Sequence, residues 1–190
     1  MNIHTYTGNP RYQEWFIANP SFIKKSVKNF SGKPIEIIEN IPKKIGLDIE
    51  PTLARQLREL EKTIVASKYL KNLEEIDFET GQIVHNYKPQ TWIRAVTFLI
   101  IFANWALKEE GITIPSPKIY DGPNGSIDVC WKGDNYRLLV NFPENIMELP
   151  TYYGDNYDDL TPIKSKISLK NQVLAFINIL SILEPSYVAH

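Results

Sequence analysis

Apolar residues recur along this chain with two different periods. In residues 51–70, Leu53, Leu57, Leu60 and Ile64 fall at i, i+4, i+7 and i+11, the stripe of one helix face. Pro51 suits the first helical position, where its missing N–H leaves no helical bond unmade. Glu75, Asp77, Glu79, Thr80 and Gly81 then read as an acidic loop ending in a turn. Residues 89–110 predict a second helix. Pro89 opens it, and Gly111 tolerates the left-handed conformation that closes one. Between Trp92 and Leu107 apolar side chains cover nearly the whole circumference, interrupted by Arg94 and Asn104. A helix apolar on all sides must be surrounded, so this segment is the expected hub of the fold.

The period then changes to two. Ile127, Val129 and Trp131 alternate with Asp128 and Cys130. After Gly133-Asp134-Asn135, Tyr136, Leu138, Val140 and Phe142 alternate with Arg137, Leu139 and Asn141. Two such runs across a short Gly/Asp/Asn loop signal a hairpin. The loop Asp121-Gly122-Pro123-Asn124-Gly125 separates an earlier candidate strand, Lys118 to Tyr120, and Met147 to Tyr153 offers a fourth. Trp131 is expected to pack over the central helix, with a partner for its ring N–H. A third helix is expected over 168–183, with Ser168 as N-cap and Pro185 beyond its end. Its apolar face would carry Leu169, Val173, Phe176, Ile177, Leu180 and Leu183.

These elements predict one α+β domain over 47–190. Helices 51–70, 89–110 and 168–183 pack on an antiparallel sheet of three to four strands, spanning about residues 118–153. Residues 1–46 lack a clear period and carry Pro10, Pro20, Pro34 and Pro42. Tyr6, Tyr12, Trp15, Phe16, Phe22 and Phe30 are too many aromatics for a simple disordered tail. The expectation is an N-terminal arm that packs on the body or on a partner.

Length and charge narrow the function classes. A chain of 190 residues buries about 70% of its unfolded surface without help from metal or disulfide. The net charge is −1, which excludes the broad electrostatic footprint of a generic nucleic-acid or anionic-membrane binder. The charge is uneven, net +3 over residues 1–95 and −4 over 96–190. The first twenty residues lack the basic start and apolar run of a secretory signal. With one cysteine, Cys130, no intrachain disulfide forms. The expected location is the cytoplasm, with no membrane partner.

Candidate chemistry is sparse. Neither G-x-x-x-x-G-K-[ST], G-x-G-x-x-G nor G-x-S-x-G occurs. His4, His85 and His190 lie far apart and form no metal-ligand spacing. Cys130 sits in a predicted strand and reads as a small structural residue. The most concentrated functional groups are in the run from Tyr152 to Asp159. Asp155, Asp158 and Asp159 are the candidates for a metal site, since clustered carboxylates hold Ca²⁺ or Mg²⁺. The spacing does not fit an EF-hand, and a hydrolase or nuclease would need further carboxylates such as Asp121 or Asp128. A solvated loop explains the same residues, and no cofactor is implied.

Aromatics near the predicted sheet carry the recognition signal. Tyr120, Trp131, Tyr136, Tyr152, Tyr153 and Tyr157 lie on or beside it. They form core, protein contacts or a stacking platform for unpaired bases. Only Lys118, Lys132 and Arg137 would supply a basic groove there.

Several motifs also follow one another in order. A helix with an acidic segment precedes the long apolar helix. Ile114-Pro115-x-Pro117 follows, then Gly122-Pro123-Asn124-Gly125-Ser126-Ile127-Asp128-Val129-x-Trp131, then Tyr152-Tyr153-Gly154-Asp155. This series resembles a widespread group of uncharacterised prokaryotic proteins with an Asn-Trp-Asp-Gly segment, a proline-framed D-G-x-I-x-L-x-W strand and a Tyr-Tyr-Gly strand end. The resemblance covers about residues 55–165, and Ile76-Asp77-Phe78-Glu79-Thr80-Gly81 stands in place of Asn-Trp-Asp-Gly. It bears on the fold and implies no activity.

The resulting expectation is a non-enzymatic, regulatory accessory protein with a protein partner. A bacterial multi-gene defence or toxin-control system would be a fitting setting. The expected contact residues are Tyr12, Trp15, Phe16, Tyr152, Tyr153 and Tyr157. A metal-dependent hydrolase and a single-stranded nucleic-acid binder are the competing readings.

Overall fold

The computed structural model describes residues 51–184, apart from Phe78, residues 157–161 and Leu169. The expected arm over 1–46, with Tyr12, Trp15 and Phe16, lies outside the described residues, as do Tyr157, Asp158 and Asp159.

Helix α1 spans Pro51–Ala66. Its stripe of Leu53, Leu57, Leu60 and Ile64 is buried, and each such side chain contributes about 1.5–3 kcal/mol. The helix ends before residue 70 because Ser67 competes for the backbone. Ser67 Oγ donates to Ile64 O at 3.0 Å and accepts Trp92 Nε1 at 3.0 Å. A 3-10 turn, Lys68–Asn72, follows. The acidic segment next to it is more than a loop. It holds strands β1 (Glu74–Ile76) and β2 (Ile83–Asn86), paired antiparallel. Asp77 Oδ1 shapes their turn by accepting the N–H groups of Glu79 and Thr80 at 2.8 and 2.9 Å.

Helix α2, Pro89–Glu110, is the hub. Every residue from Thr91 to Ala106 is buried. Gly111, at φ 69°, ends it, with the N–H groups of Gly111 and Ile112 donating to Leu107 O and Ala106 O. By length and composition alone this helix could cross a membrane, yet 83% of its most apolar window is enclosed by the protein itself. Arg94, the charge it buries, donates to Pro143 O, Asn145 O and Glu148 O at 2.9, 3.4 and 2.8 Å. Burial depresses its pKa to about 10, opposed by Glu148.

Five strands form one antiparallel meander: β3 (Lys118–Asp121), β4 (Ile127–Lys132), β5 (Tyr136–Phe142), β6 (Thr151–Asn156) and β7 (Ile163–Lys166). Their spatial order is their chain order. The expected three to four strands are thus exceeded by one, β7. The fourth begins at Thr151, because 143–150 turns around the Arg94 guanidinium. Ile119, Ile127, Val129, Trp131, Leu138, Val140, Phe142 and Tyr152 form the buried face. Trp131 meets Phe102 of α2 edge to face at 6.3 Å, and its Nε1 donates to Pro115 O at 2.8 Å.

Helix α3 spans Gln172–Leu183 and packs on β5, β6 and β7. It starts later than expected. Ser168 is no N-cap; its N–H and Oγ donate to Asn171 Oδ1, building a turn before the helix. Phe176, Leu180 and Leu183 are buried as expected, joined by Ala175, Ile179 and Ile182.

Candidate functional site

Alternation along the strands gives the sheet a second face, opposite the helices. The strand registers set its side chains in rows. One row runs Lys118, Cys130, Leu139, Tyr153 and Lys164 from β3 to β7. The next runs Tyr120, Asp128, Asn141, Thr151 and Lys166. A third pairs Lys132 with Arg137 and Arg137 with Asp155. Cys130, Leu139 and Tyr153 are half-buried at the centre, while Lys118, Lys132, Arg137, Lys164 and Lys166 are exposed around them.

Polar contacts link the side chains of this face. Asp155 Oδ2 accepts from Arg137 Nη2 at 3.2 Å and from Tyr153 Oη at 2.9 Å. The Arg137 guanidinium also lies 5.5 Å from the Tyr153 ring centre. The bond to Asp155 is the main reason the Arg137 pKa is raised further. Lys118, Lys132, Lys164 and Lys166 make no ion pair among the described residues. Asp128 Oδ1 accepts Asn141 Nδ2 at 2.7 Å. Burial pushes the Asp128 carboxyl above its ordinary value; Asn141 opposes that and Asp121 adds to it. Burial, then Asp128, pushes the Cys130 thiol up. A thiol held protonated is a poor nucleophile, in keeping with a structural Cys130.

A polar hollow of about 490 Å³ opens beside the loop 122–126. Asn124, left-handed at φ 56°, lines it, and Tyr87 Oη fixes the loop by donating to Gly122 O at 2.8 Å. Its carboxylates are Glu144, paired to Lys88 at 2.7 Å, and Glu148. Among the described residues no group of three His, Cys, Asp or Glu side chains is placed to hold a metal ion.

The sequence-predicted site residues therefore separate. Tyr153 and Asp155 meet on the outer face. Tyr152 does not join them; it is 2% exposed, and its hydroxyl accepts Asn178 Nδ2 at 2.9 Å under α3. Neighbouring residues of a strand point to opposite faces, so only one of two adjacent tyrosines can reach a partner here. Trp131 is likewise in the core, whereas Tyr120 is 41% exposed. Of the metal candidates, Asp155 is held by Arg137 and Tyr153, and Asp158 and Asp159 lie outside the described residues. Sequence reasoning missed Leu139, Lys164 and Lys166. The alternation Ile163-Lys164-Ser165-Lys166 was the available signal.

No family model matches the chain, and no curated protein or solved structure matches it significantly.

Proposed function

We propose that the protein is a non-enzymatic accessory protein that binds a protein partner through the outer face of its five-stranded sheet. The observation that carries this reading is the composition of that face. An apolar centre of Cys130, Leu139 and Tyr153 is rimmed by four lysines without ion partners among the described residues. Apolar centres with polar rims are the usual build of protein interfaces. The partner surface it complements is acidic, because five exposed bases outnumber Asp128 and Asp155 on the face.

Stacking of nucleic-acid bases has less support. Trp131 and Tyr152 face the core, and the Tyr153 ring already carries the Arg137 guanidinium. Hydrolysis has less support as well, since burial pushes the Cys130 thiol up and Asp155 Oδ2 is taken by Arg137 and Tyr153.

The test is a photo-crosslinking residue at Leu139, read in cells of the source with and without Lys132→Glu and Lys164→Glu. The expected result is a discrete protein adduct through position 139 that disappears in the charge-reversed variant, whose melting temperature is unchanged. A chain that stays a lone monomer with no adduct, or an adduct indifferent to both reversals, overturns the proposal.

A further inference from the structure

Strand β7 closes one side of the sheet and differs from the four others. All four of its residues are exposed. Its partner β6 lies on one side, and no described strand pairs with the other. The direction of its backbone groups follows from one hydrogen bond. Ile167 N–H donates to Pro150 O at 2.8 Å, toward the β6 side. Successive amides along a strand alternate in direction. The N–H groups of Lys164 and Lys166 therefore point away from β6, to the open edge. Lys166 O is taken there by Asn171 Nδ2 at 2.9 Å, which leaves Lys164 with both its donor and its acceptor toward the edge.

The side chains around that edge divide by face. Lys164 and Lys166 rise on the outer face, in line with Tyr153 and Thr151. On the helix side, Ile163 is 36% exposed, with α3 packed against β7. A second copy of this edge is a poor occupant, since antiparallel self-pairing would set lysine against lysine, and like charges opposite one another destabilise a ladder. An acidic strand meets the opposite condition. Its backbone continues the ladder at Lys164, its carboxylates meet the two ammonium groups, and its alternate apolar side chains cover Ile163.

We infer that β7 is a strand-addition site for an extended acidic segment of the partner, in which Asp or Glu alternates with apolar residues. This inference rests on the binding function proposed above and names the partner's chemistry at one rim of the same surface.

The test uses the full chain and a capped eight-residue peptide of alternating Glu and Val, with alternating Lys and Val as the charge control and an oligothymidylate of similar length. The first readout is fluorescence anisotropy and the second is amide hydrogen exchange along β7. The Glu/Val peptide is expected to bind saturably and to slow exchange of the Lys164 amide. Lys164→Glu with Lys166→Glu is expected to weaken it by about tenfold or more, with the melting temperature unchanged because both side chains are exposed. The inference is overturned if the Lys/Val peptide binds as tightly, if Lys164 exchange is unaffected, or if the oligothymidylate displaces the peptide. Crosslinking from Leu139 separates the two claims. An adduct there with β7 unprotected leaves the binding function standing and removes strand addition, whereas no adduct removes the binding function itself.

Discussion

A β-carbon on Gly154 would overlap Cδ1 of Ile182, so the tip of that α3 side chain fills the space a side chain on β6 would take. Leu138 Cδ1 closes the same space at 3.1 Å from that position. The requirement is one of room, since Gly154 is absent from the residues with positive φ. Gly154→Ala should cost about 1–3 kcal/mol, the range for overpacking a filled core. Ile182→Val removes the offending methyl and by itself should cost about 0.5–1.5 kcal/mol. Together the two should cost less than their sum, which chemical denaturation of all three variants measures.

The Trp131 ring N–H is satisfied by Pro115 O within the irregular stretch leading to β3. Trp131→Phe keeps most of the apolar contact with Phe102 and deletes this donor. It should destabilise the fold by about 0.5–1.5 kcal/mol, the ordinary worth of one hydrogen bond, because Pro115 is exposed and water replaces the lost donor. The same denaturation measurement reads it, and faster amide exchange at Ser116 and Lys118 should accompany it.

Arg94 binds three carbonyls of the 143–150 turn from inside the hub helix. Lysine is a point donor and lacks the planar fork. Arg94→Lys should cost about 1–3 kcal/mol and Arg94→Met more, since the latter also leaves all three carbonyls without that donor. Hydrogen exchange should show the loss concentrated at 144–149 and the centre of the sheet unaffected.

Asp128 sets a pH dependence of stability. Its native pKa is raised above the ordinary 3.8 by burial. Between the unfolded and native values the folded chain holds the extra proton, so stability falls as pH rises through that window. Asp128→Asn keeps an oxygen to accept from Asn141 and removes the charge. The variant should melt higher than the parent at neutral pH, and the difference should vanish once pH falls below the unfolded value. Paired melting curves across the acid range test this.

Divalent ions provide a check on the hydrolase reading. A bound ion at a hundredfold excess over its dissociation constant would stabilise the fold by about 2.7 kcal/mol. For a non-enzymatic binder, millimolar Mg²⁺, Mn²⁺ or Ca²⁺ should leave the melting temperature in place. A rise abolished by Asp155→Asn would favour the metal reading.

How much of this was legible in the sequence depended on burial. Helix α2 could be read because enclosure on every side demands apolar residues on every side. Strands β4 and β5 could be read because one face is core and the other is not. Strand β7 has no buried residue, so its Ile163-Lys164-Ser165-Lys166 alternation is only a faint hydrophobic pattern; its ladder is made by the backbone. The start of α3 was misplaced because Ser168 and Asn171 are both capping residue types, and their mutual hydrogen bonds decide between them. The same limit governs the site. Whether Tyr152 or Tyr153 faces outward depends on the phase of β6, which is set by its pairing with β5. Lys164 and Lys166 join the outer face only once β7 is known to be a strand.

The sheet's spatial order repeats its order along the chain, with linkers of three to eight residues between successive strands. Assembly can therefore proceed like a zip, each strand docking beside the one just laid down, with small loop-closure entropy at every step. No strand has to be threaded between two that are already in place. Such a sheet can also be lengthened or trimmed at its margins without reordering its middle, which leaves evolution free to remodel an outermost strand while the framework beneath stays as it is.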